Sequence, residues 1–209
     1  MTDRLAYTWH HTVQPLIDTK YRHAAEGVAD QMVRADVGWK WVQWLNLAKL
    51  HNFTRLAGSH GPALAMCLVV DTGTSGQFPI GMLTTVPQLN CVVSESRRKR
   101  GFCWFLADAP RAVYEKLNVP AAKNVALALL DSGIQATLDV GQDGTFLLHA
   151  APEGGVKLTR FYQDKVGMQR LPVAEPAITR VFRRGGSNEY FHFDDVQAQF
   201  FCDRFRDYR

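Results

Sequence analysis

Residues 145–168 read TFLLHAAPEGGVKLTRFYQDKVGM. The first six residues form a short apolar run that predicts a strand, and residues 152–155 are typical of a turn. Residues 156–165 then predict a short helix that carries Tyr162 and ends at Gly167. The interpretation of the fold depends on this succession of a strand, a turn and a tyrosine-bearing helix.

The rest of the chain alternates in the same way between helical and extended patterns. Apolar periodicity predicts strands over residues 63–70, 78–86, 102–107, 145–150, 178–182 and 189–193. It predicts helices over residues 18–35, 39–51, 114–117, 121–140, 156–165 and 195–205. Asp18 is the expected cap of the first helix, Pro87 limits the second strand, and residues 94–100 are expected to form a basic loop. This order predicts an α/β arrangement with one strongly mixed sheet.

Composition and charge favour an ordinary globular chain. Hydrophobic residues make up 46% and charged residues 21% of the 209 residues, which suits one domain with a real core. The formal charge of +4 favours an anionic ligand only weakly, and much of the basic charge lies at 97–100 and 180–184. One four-residue basic run does not favour a nucleic-acid partner.

Several classes of site and location are not expected from this sequence. The four cysteines form no Cys-x-x-Cys pair, which favours buried free thiols in a reducing cytoplasm. No apolar run approaches the roughly 20 residues of a membrane span, and the first residues lack the apolar core of a secretory signal, so no membrane partner is expected. The histidines have no metal-ligand spacing with a cysteine or a carboxylate pair, so no metal is predicted.

The order of these pieces resembles the GNAT superfamily of acyl-CoA-dependent N-acetyltransferases. In that family a strand splays from its neighbour, a helix N-terminus follows, and a later helix carries a pattern close to Phe/Leu-Tyr-x-x-x-Gly-Phe. The chain has Phe161-Tyr162-Gln163-Asp164-Lys165-Val166-Gly167-Met168, with one extra residue before the glycine and Met168 in place of the aromatic residue. Pro79-Ile80-Gly81-Met82 is similar to the family's central strand. The resemblance covers residues 63–171.

The resemblance implies a single GNAT-like domain over residues 1–209. Its fold would be α/β (α+β), with a strongly mixed central sheet, a splayed strand pair and helices on both faces. Residues 1–62 would form N-terminal helices that border the acceptor site, residues 63–171 the acyl-CoA-binding core, and residues 172–209 C-terminal strands and a helix. The implied activity is transfer of an acetyl or other acyl group from its CoA thioester, as co-substrate, to a primary amine.

The resemblance also implies where acyl-CoA would bind. The backbone of Leu106 and Ala107 would contact the thioester carbonyl and the pantetheine. The family's pyrophosphate pattern is Arg/Gln-x-x-Gly-x-Gly/Ala, and the chain has Ala121-Ala122-Lys123-Asn124-Val125-Ala126, so Asn124 replaces a glycine and Ala121 replaces the basic or amide residue. A helix N-terminus attracts phosphate whatever its side chains, and asparagine tolerates left-handed backbone geometry. The alternative is that this segment merely starts an amphipathic helix.

Three side chains are candidates for proton transfer by the same resemblance. Tyr162 would reprotonate the departing thiolate, or else it is a core aromatic residue beside Phe161. Asp108 and His149 are candidate bases near the expected reaction centre. Asp108 could instead cap the turn before Pro110, and His149 could be an edge histidine. Glu95 is a further candidate base, and a water chain could replace all three.

The acceptor is expected to be an amine of a small molecule or a protein. The tryptophans at 39, 41 and 44 are either core residues or walls of the acceptor pocket. One alternative function is a GNAT-fold binding module whose cofactor loop has degenerated, which the replacements at 121 and 124 suggest. Another is an acyltransferase that acts on RNA, which the basic run at 97–100 suggests. The phenylalanine-rich end of the chain, residues 191–205, is either core or a dimer face, which leaves a homodimer open.

Overall fold

A single six-stranded mixed sheet organises the protein, whose computed structural model describes residues 1–54, 60–73, 76–172 and 189–208. The strands are β1 (Leu64–Asp71), β2 (Gln77–Val93), β3 (Ser96–Asp108), β4 (Phe146–His149), β5 (Gln169–Arg170) and β6 (Tyr190–Phe193). Their order in the sheet is β1-β2-β3-β4-β6-β5, and the junction between β3 and β4 is the parallel one in an otherwise antiparallel arrangement of the described strands. The mixed α/β character is therefore confirmed. The strand predicted at 178–182 lies outside the described residues, and β5 was not predicted.

The hairpin of β2 and β3 is much longer than the sequence predicted. Pro87 does not end β2, because the ladder shifts register between Val86 and Leu89 and so leaves the proline unpaired. The predicted basic loop at 94–100 is wrong, since residues from Ser96 onward belong to β3. The turn is made instead by Ser94 and Glu95, which both have positive φ, 48° and 62°.

Helices form seven elements of the described chain. They are α1 (Asp3–Thr8), α2 (Gln14–Lys20), α3 (Trp41–Thr54), α4 (Arg111–Leu117), α5 (Val125–Asp139), α6 (Gly155–Arg160) and α7 (Asp195–Asp203). A π-helical turn, Trp9–Val13, joins α1 to α2, and a second one, Phe161–Val166, continues α6. The predictions at 39–51, 114–117, 156–165 and 195–205 are confirmed to within a few residues.

The first predicted helix, at 18–35, is wrong. The helical segment lies earlier, because Ala6, Trp9, Val13 and Ile17 form a fully buried stripe at helical spacing. The chain leaves the helix after Lys20, and Gly27 adopts a left-handed φ of 79°. Residues 21–38 instead form an irregular segment whose two ends meet, since the backbone N–H of Arg34 donates to the carbonyl of Arg22 at 3.0 Å.

The start of the long helix also differs from the prediction. Residues 121–124 are not helical, and α5 begins at Val125 because Asn124 has a left-handed backbone with φ of 60°. The predicted end is correct, since the helix stops just before Gly141, whose φ is 77°.

Helices cover both faces of the sheet. On one face Gly133 of α5 lies beside Leu83 of β2, and Gly81 lies directly against Val125 and Leu129. Successive strand residues point to opposite faces, so Thr84 and its partner Phe105 belong to the other face. There the ring of Phe105 stacks on Trp44 of α3 with centroids 3.9 Å apart.

The C-terminal elements close the sheet and the core. Asp194 caps α7 through a capping box with Gln197. Phe191, Phe193 and Phe201 are buried in the core, whereas Phe200 is 76% exposed. Most of the phenylalanine-rich segment is therefore core, and no helix of the described residues is long and apolar enough to cross a membrane.

Candidate functional site

The site begins where β3 and β4 separate. The two strands pair in parallel over three positions, of which Cys103 and Leu148 are the last. The next residue of β3, Trp104, is a β-bulge, because Thr84 pairs with Phe105 and Thr85 pairs with Cys103. A bulge bends its strand and increases the twist. Beyond it, the β3 edge from Trp104 to Asp108 is not paired with β4 in the described part of the chain.

A cleft of about 310 Å³ fills the space between the two separated strands. Leu106 and Ala107 of β3 line one wall, and His149 and Tyr162 line the opposite wall. Ala126, at the start of α5, is part of the lining, and so are residues 33–36 and Trp39 of the N-terminal region. The cleft therefore connects the N-terminal end of a long helix with a polar group of side chains from the N-terminal region.

Tyr162 is held in the cleft by its position in the π-helical turn after α6. Its ring packs between Phe161 and Phe191, with centroids 5.4 and 5.5 Å away, and its carbonyl accepts hydrogen bonds from the N–H groups of Gly167 and Met168 at 3.1 and 2.9 Å. The hydroxyl makes no hydrogen bond with any described residue. Burial, with the neighbouring Cys103 and Asp108, raises the pKa of Tyr162, so the phenol keeps its proton at neutral pH.

Asp108 lies at the end of β3 and forms an ion pair with Arg34. Its Oδ1 accepts from Arg34 Nη2 at 3.1 Å, and its carbonyl oxygen accepts from the same nitrogen at 2.7 Å. Its side chain is 47% exposed. The alternative that Asp108 caps the following turn through its side chain is not seen among the described contacts, where Arg34 is its partner.

Arg34 and Asp36 are the residues of this site that the sequence reasoning missed. Arg34 binds both carboxylate oxygens of Asp36, with Nε and Nη2 each donating over 2.8 Å. Burial alone would lower the pKa of Arg34, but the carboxylates of Asp36 and Asp108 outweigh it and raise the pKa above its usual value. The signal was the pair Arg34-x-Asp36 next to a tryptophan-rich helix, and the mistaken helix at 18–35 concealed it.

Lys157 is a second missed cation. It belongs to α6, lines the cleft, and donates from Nζ to the carbonyl of Val33 at 2.8 Å. Burial and the positive charge of Arg34 lower the pKa of Lys157, against the opposing pull of Asp30, Asp108 and Asp36. The amine thus ties α6 to the same irregular segment that carries Arg34.

The remaining candidate bases are placed differently from one another. His149 ends β4 and lines the cleft, with its ring 5.0 Å from that of Tyr190. Glu95 lies in the turn at the far end of β3 from Asp108, so it is outside the cleft. Asp108, His149 and Tyr162 therefore come together as the sequence predicted, and Glu95 does not join them.

The predicted pyrophosphate segment reaches the cleft only at its last residue. Asn124 precedes α5 with a left-handed backbone and makes no side-chain cap to the helix. Lys123 is exposed, Val125 is buried against Gly81, and Ala126 lines the cleft. The first turn of this 15-residue helix, which carries no acidic residue, thus reaches the cleft through Ala126.

Other features of the sequence contribute nothing to this cleft. The described residues contain no group of three or more His, Cys, Asp or Glu side chains that could hold a metal ion. All four cysteines are free, and burial raises the pKa of Cys67 to about 11 and that of Cys91 to about 12, which keeps both thiols protonated. Of the three tryptophans, Trp39 lines the cleft while Trp41 is fully buried.

The basic run at 97–100 is divided by the strand that contains it. Arg98 pairs with Asp143 at 2.6 Å, and Arg100 is buried and donates to the carbonyl of Cys91 at 2.9 Å. The run does not form one continuous basic surface.

Comparisons with known proteins do not place the chain in a family. No protein-family model, no curated protein and no solved structure matches it significantly.

Proposed function

We propose that this chain is an acyl-CoA-dependent N-acyltransferase of the GNAT type, which transfers an acetyl group from acetyl-CoA to a primary amine. The observation that carries the proposal is the separation of β3 from β4 after Cys103, which leaves the edge of β3 facing a cleft that also contains Tyr162. The resemblance in sequence implies an acyl-CoA site at the splayed strands, and the cleft between β3 and β4 supports that proposal.

The residues present fit a long ligand with an anionic end. The β3 edge at Leu106 and Ala107 would hold the pantetheine, because a free strand edge presents unpaired backbone groups. The start of α5 at Lys123, Asn124 and Ala126 would hold the pyrophosphate through helix N–H groups. The left-handed backbone of Asn124 is a geometry that glycine most readily adopts and that asparagine tolerates. The asparagine that stands in place of the family's glycine is therefore compatible with such a loop, which weakens the case for a degenerate binding module.

The chemistry of transfer needs a thioester, which acyl-CoA supplies when bound. In the transfer a carbon–nitrogen bond forms as the carbon–sulfur bond breaks, the amine loses a proton, and the sulfur gains one. Tyr162 Oη carries a proton, has no protein partner among the described residues and lies in the cleft, which suits it to protonate the sulfur. Asp108 and His149 line the same cleft, and either would accept the proton that the amine loses.

Binding of acetyl-CoA tests this proposal directly. Millimolar acetyl-CoA should raise the melting temperature of the wild-type chain, because a ligand that binds only the folded state stabilises it. Ala126→Glu should abolish the rise, since it places a carboxylate at the helix start and inside the cleft. Val196→Glu, in the first turn of α7 and 73% exposed, is the matched control and should keep it. An unchanged melting temperature of the wild type would refute the proposal.

A further inference from the structure

The Arg34 guanidinium has an unused pair of donors at the cleft. Its Nε and Nη2 donate to Asp36 and Asp108. Its Nη1, which carries two more N–H groups, donates to no group of the described residues. This nitrogen is not among the buried atoms that lack a partner, so it keeps access to solvent. Arg34 lines the cleft, which makes Nη1 available to a ligand there.

The orientation of this guanidinium is fixed before any ligand binds. Asp36 is 6% exposed at its side chain and holds the guanidinium through two parallel hydrogen bonds. The ring of Tyr21 covers one face, with Arg34 Cζ 5.3 Å from its centroid. A donor pair that is already oriented loses little conformational entropy on binding.

Asp108 offers the complementary group. Arg34 uses Asp108 Oδ1 and the carbonyl oxygen, and Oδ2 accepts no hydrogen bond from the described residues. The side chain is 47% exposed and lines the cleft. The free carboxylate oxygen of Asp108 and the free N–H donors of Arg34 therefore belong to one ion pair, on either side of the contact between Nη2 and Oδ1.

A ligand that satisfies both must carry a positive donor and an acceptor oxygen close together. An ammonium group would donate to Asp108 Oδ2, and an oxygen on the adjacent carbon would accept from Arg34 Nη1. A simple alkylamine would satisfy Asp108 but offer no acceptor to Arg34 Nη1, so it would bind with one charge-assisted hydrogen bond fewer. The side chains of Trp39, Leu158 and Phe161, which line the same cleft, suit an apolar substituent.

We propose that Arg34 and Asp108 recognise an amine acceptor that carries a carbonyl or carboxylate oxygen on the carbon next to the amine-bearing one, as in an α-amino acid or a peptide N-terminus. The role of this compound as an acyl acceptor rests on the function proposed above. Its recognition by Arg34 and Asp108 is a binding property, which can be measured without any acyl donor.

Four probes with the same benzyl group test the recognition by calorimetry on the full chain. Phenylalaninamide has both the amine and the carbonyl, phenethylamine lacks the carbonyl, N-acetylphenylalaninamide lacks the ammonium, and phenylalanine replaces the amide by a carboxylate. Phenylalaninamide should bind at least about tenfold more tightly than phenethylamine, because phenethylamine lacks the oxygen that accepts a charge-assisted hydrogen bond from Arg34 Nη1. N-acetylphenylalaninamide should bind at least about tenfold more weakly than phenylalaninamide, because it cannot donate from a cation to Asp108. Tighter binding of phenylalanine than of phenylalaninamide indicates free amino acids as the acceptors, and the reverse indicates peptide N-termini.

Substitutions assign the effect to the two side chains. Arg34→Lys keeps a cation beside Asp36 but removes Nη1, so it should abolish the preference for phenylalaninamide over phenethylamine. Asp108→Asn should weaken both of these amines. Arg111→Gln, from an exposed surface pair with Glu115, is the control and should change neither.

Two results would overturn the inference. One is equal affinity of the wild type for phenylalaninamide and phenethylamine, which decides the matter even if Arg34→Lys does not fold. The other is a folded Arg34→Lys variant that keeps the full preference. Because the probes are measured without CoA, failure of acetyl-CoA to bind would refute the proposed function but would not affect the comparison of the probe affinities.

Discussion

Gly101 and Phe146 form the first pair of the short parallel ladder between β3 and β4, and the Phe146 ring occupies the space that a side chain at position 101 would need. The hydroxyl of Thr137, from α5, closes the same space from another side. Gly101 therefore lets three elements approach each other at the point from which the two strands diverge. The position of the cleft depends on this close approach.

Gly101→Ala should destabilise the protein by about 1 to 3 kcal/mol, because the added methyl overlaps a buried aromatic ring and a helix side chain. Chemical denaturation measures the loss of unfolding free energy. Arg97→Ala, at an exposed position of the same strand, should change it by less than about 0.5 kcal/mol. Equal stability of Gly101→Ala and the wild type would mean that Phe146 can move aside freely.

Asn124→Ala should cost about 1 kcal/mol of stability, because alanine lacks the short polar side chain that lets asparagine tolerate a φ of 60° better than other residues with a Cβ. Asn124→Gly should be within a few tenths of a kcal/mol of the wild type, since glycine adopts this backbone freely. The two variants differ only by a methyl group, and thermal or chemical denaturation compares them. A stable Asn124→Ala variant would contradict the left-handed geometry at the start of α5.

The local sequence pattern was sufficient to predict elements whose apolar residues are arranged as their secondary structure requires. The helix around Leu129 and Leu130 was predicted because its apolar residues recur at helical spacing, and the strand around Cys67 was predicted because it is an apolar run of strand length. The helix prediction for the N-terminal region was wrong because the local pattern there is misleading. Alanines at 24 and 25 imitate a helical stripe, whereas the true stripe runs through Trp9 and Ile17.

The candidate site could be predicted only in part, because its key contacts are distant in sequence. Tyr162 and Asp108 were candidates because the resemblance implies a role for a tyrosine on the later helix and for a base just past the splayed strand. Arg34 is 74 residues from Asp108, its ionic partner, and no local pattern reports a contact of that range. The length of the β2–β3 hairpin was not predicted for a different reason. Proline normally ends a strand and a tight turn with positive φ normally contains glycine, but here the register shifts at Pro87 and the turn at Glu95 has no glycine.

Tyr162→Phe should lower the rate of acetyl transfer by about 10²- to 10⁴-fold, the range expected for loss of a general acid. Acetyl-CoA affinity should change little, because the ring and its packing against Phe191 remain. Steady-state kinetics and a thermal-shift titration separate the two effects. An undiminished rate in a variant that still binds acetyl-CoA would remove Tyr162 from the mechanism.

Tyr114→Phe is the matched control for that substitution, and it carries a prediction of its own. The Tyr114 hydroxyl is buried without a hydrogen-bond partner, and burial together with Asp108 raises the pKa of Tyr114 to about 12. Removing a buried, unpaired hydroxyl should leave stability unchanged or raise it by up to about 1 kcal/mol. Activity should be unaffected, since Tyr114 is not among the residues that line the cleft. A clear loss of stability would indicate a hydrogen bond that the structure does not contain.

Asp143 should make stability depend on pH in the acidic range. Burial tends to raise the pKa of Asp143, but hydrogen bonds from Thr145 and the charges of Arg98 and Arg100 outweigh it and lower the pKa below its ordinary value of 3.8. A carboxyl whose pKa is lower in the folded than in the unfolded state stabilises the fold fully above the unfolded value, and this contribution is lost as the pH falls through the folded value.

Asp143→Asn should therefore be less stable than the wild type at pH 7, and the difference should shrink as the pH falls below 3.8. The substitution keeps an oxygen for the Thr145 N–H, at 2.9 Å in the wild type, so it isolates the charge. Denaturation of both proteins across the acidic range measures the effect. Asp207→Asn, exposed near the C-terminus, should show no such pH-dependent difference. A difference that stays constant down to the lowest pH would show that packing, and not the ion pair with Arg98, accounts for the loss.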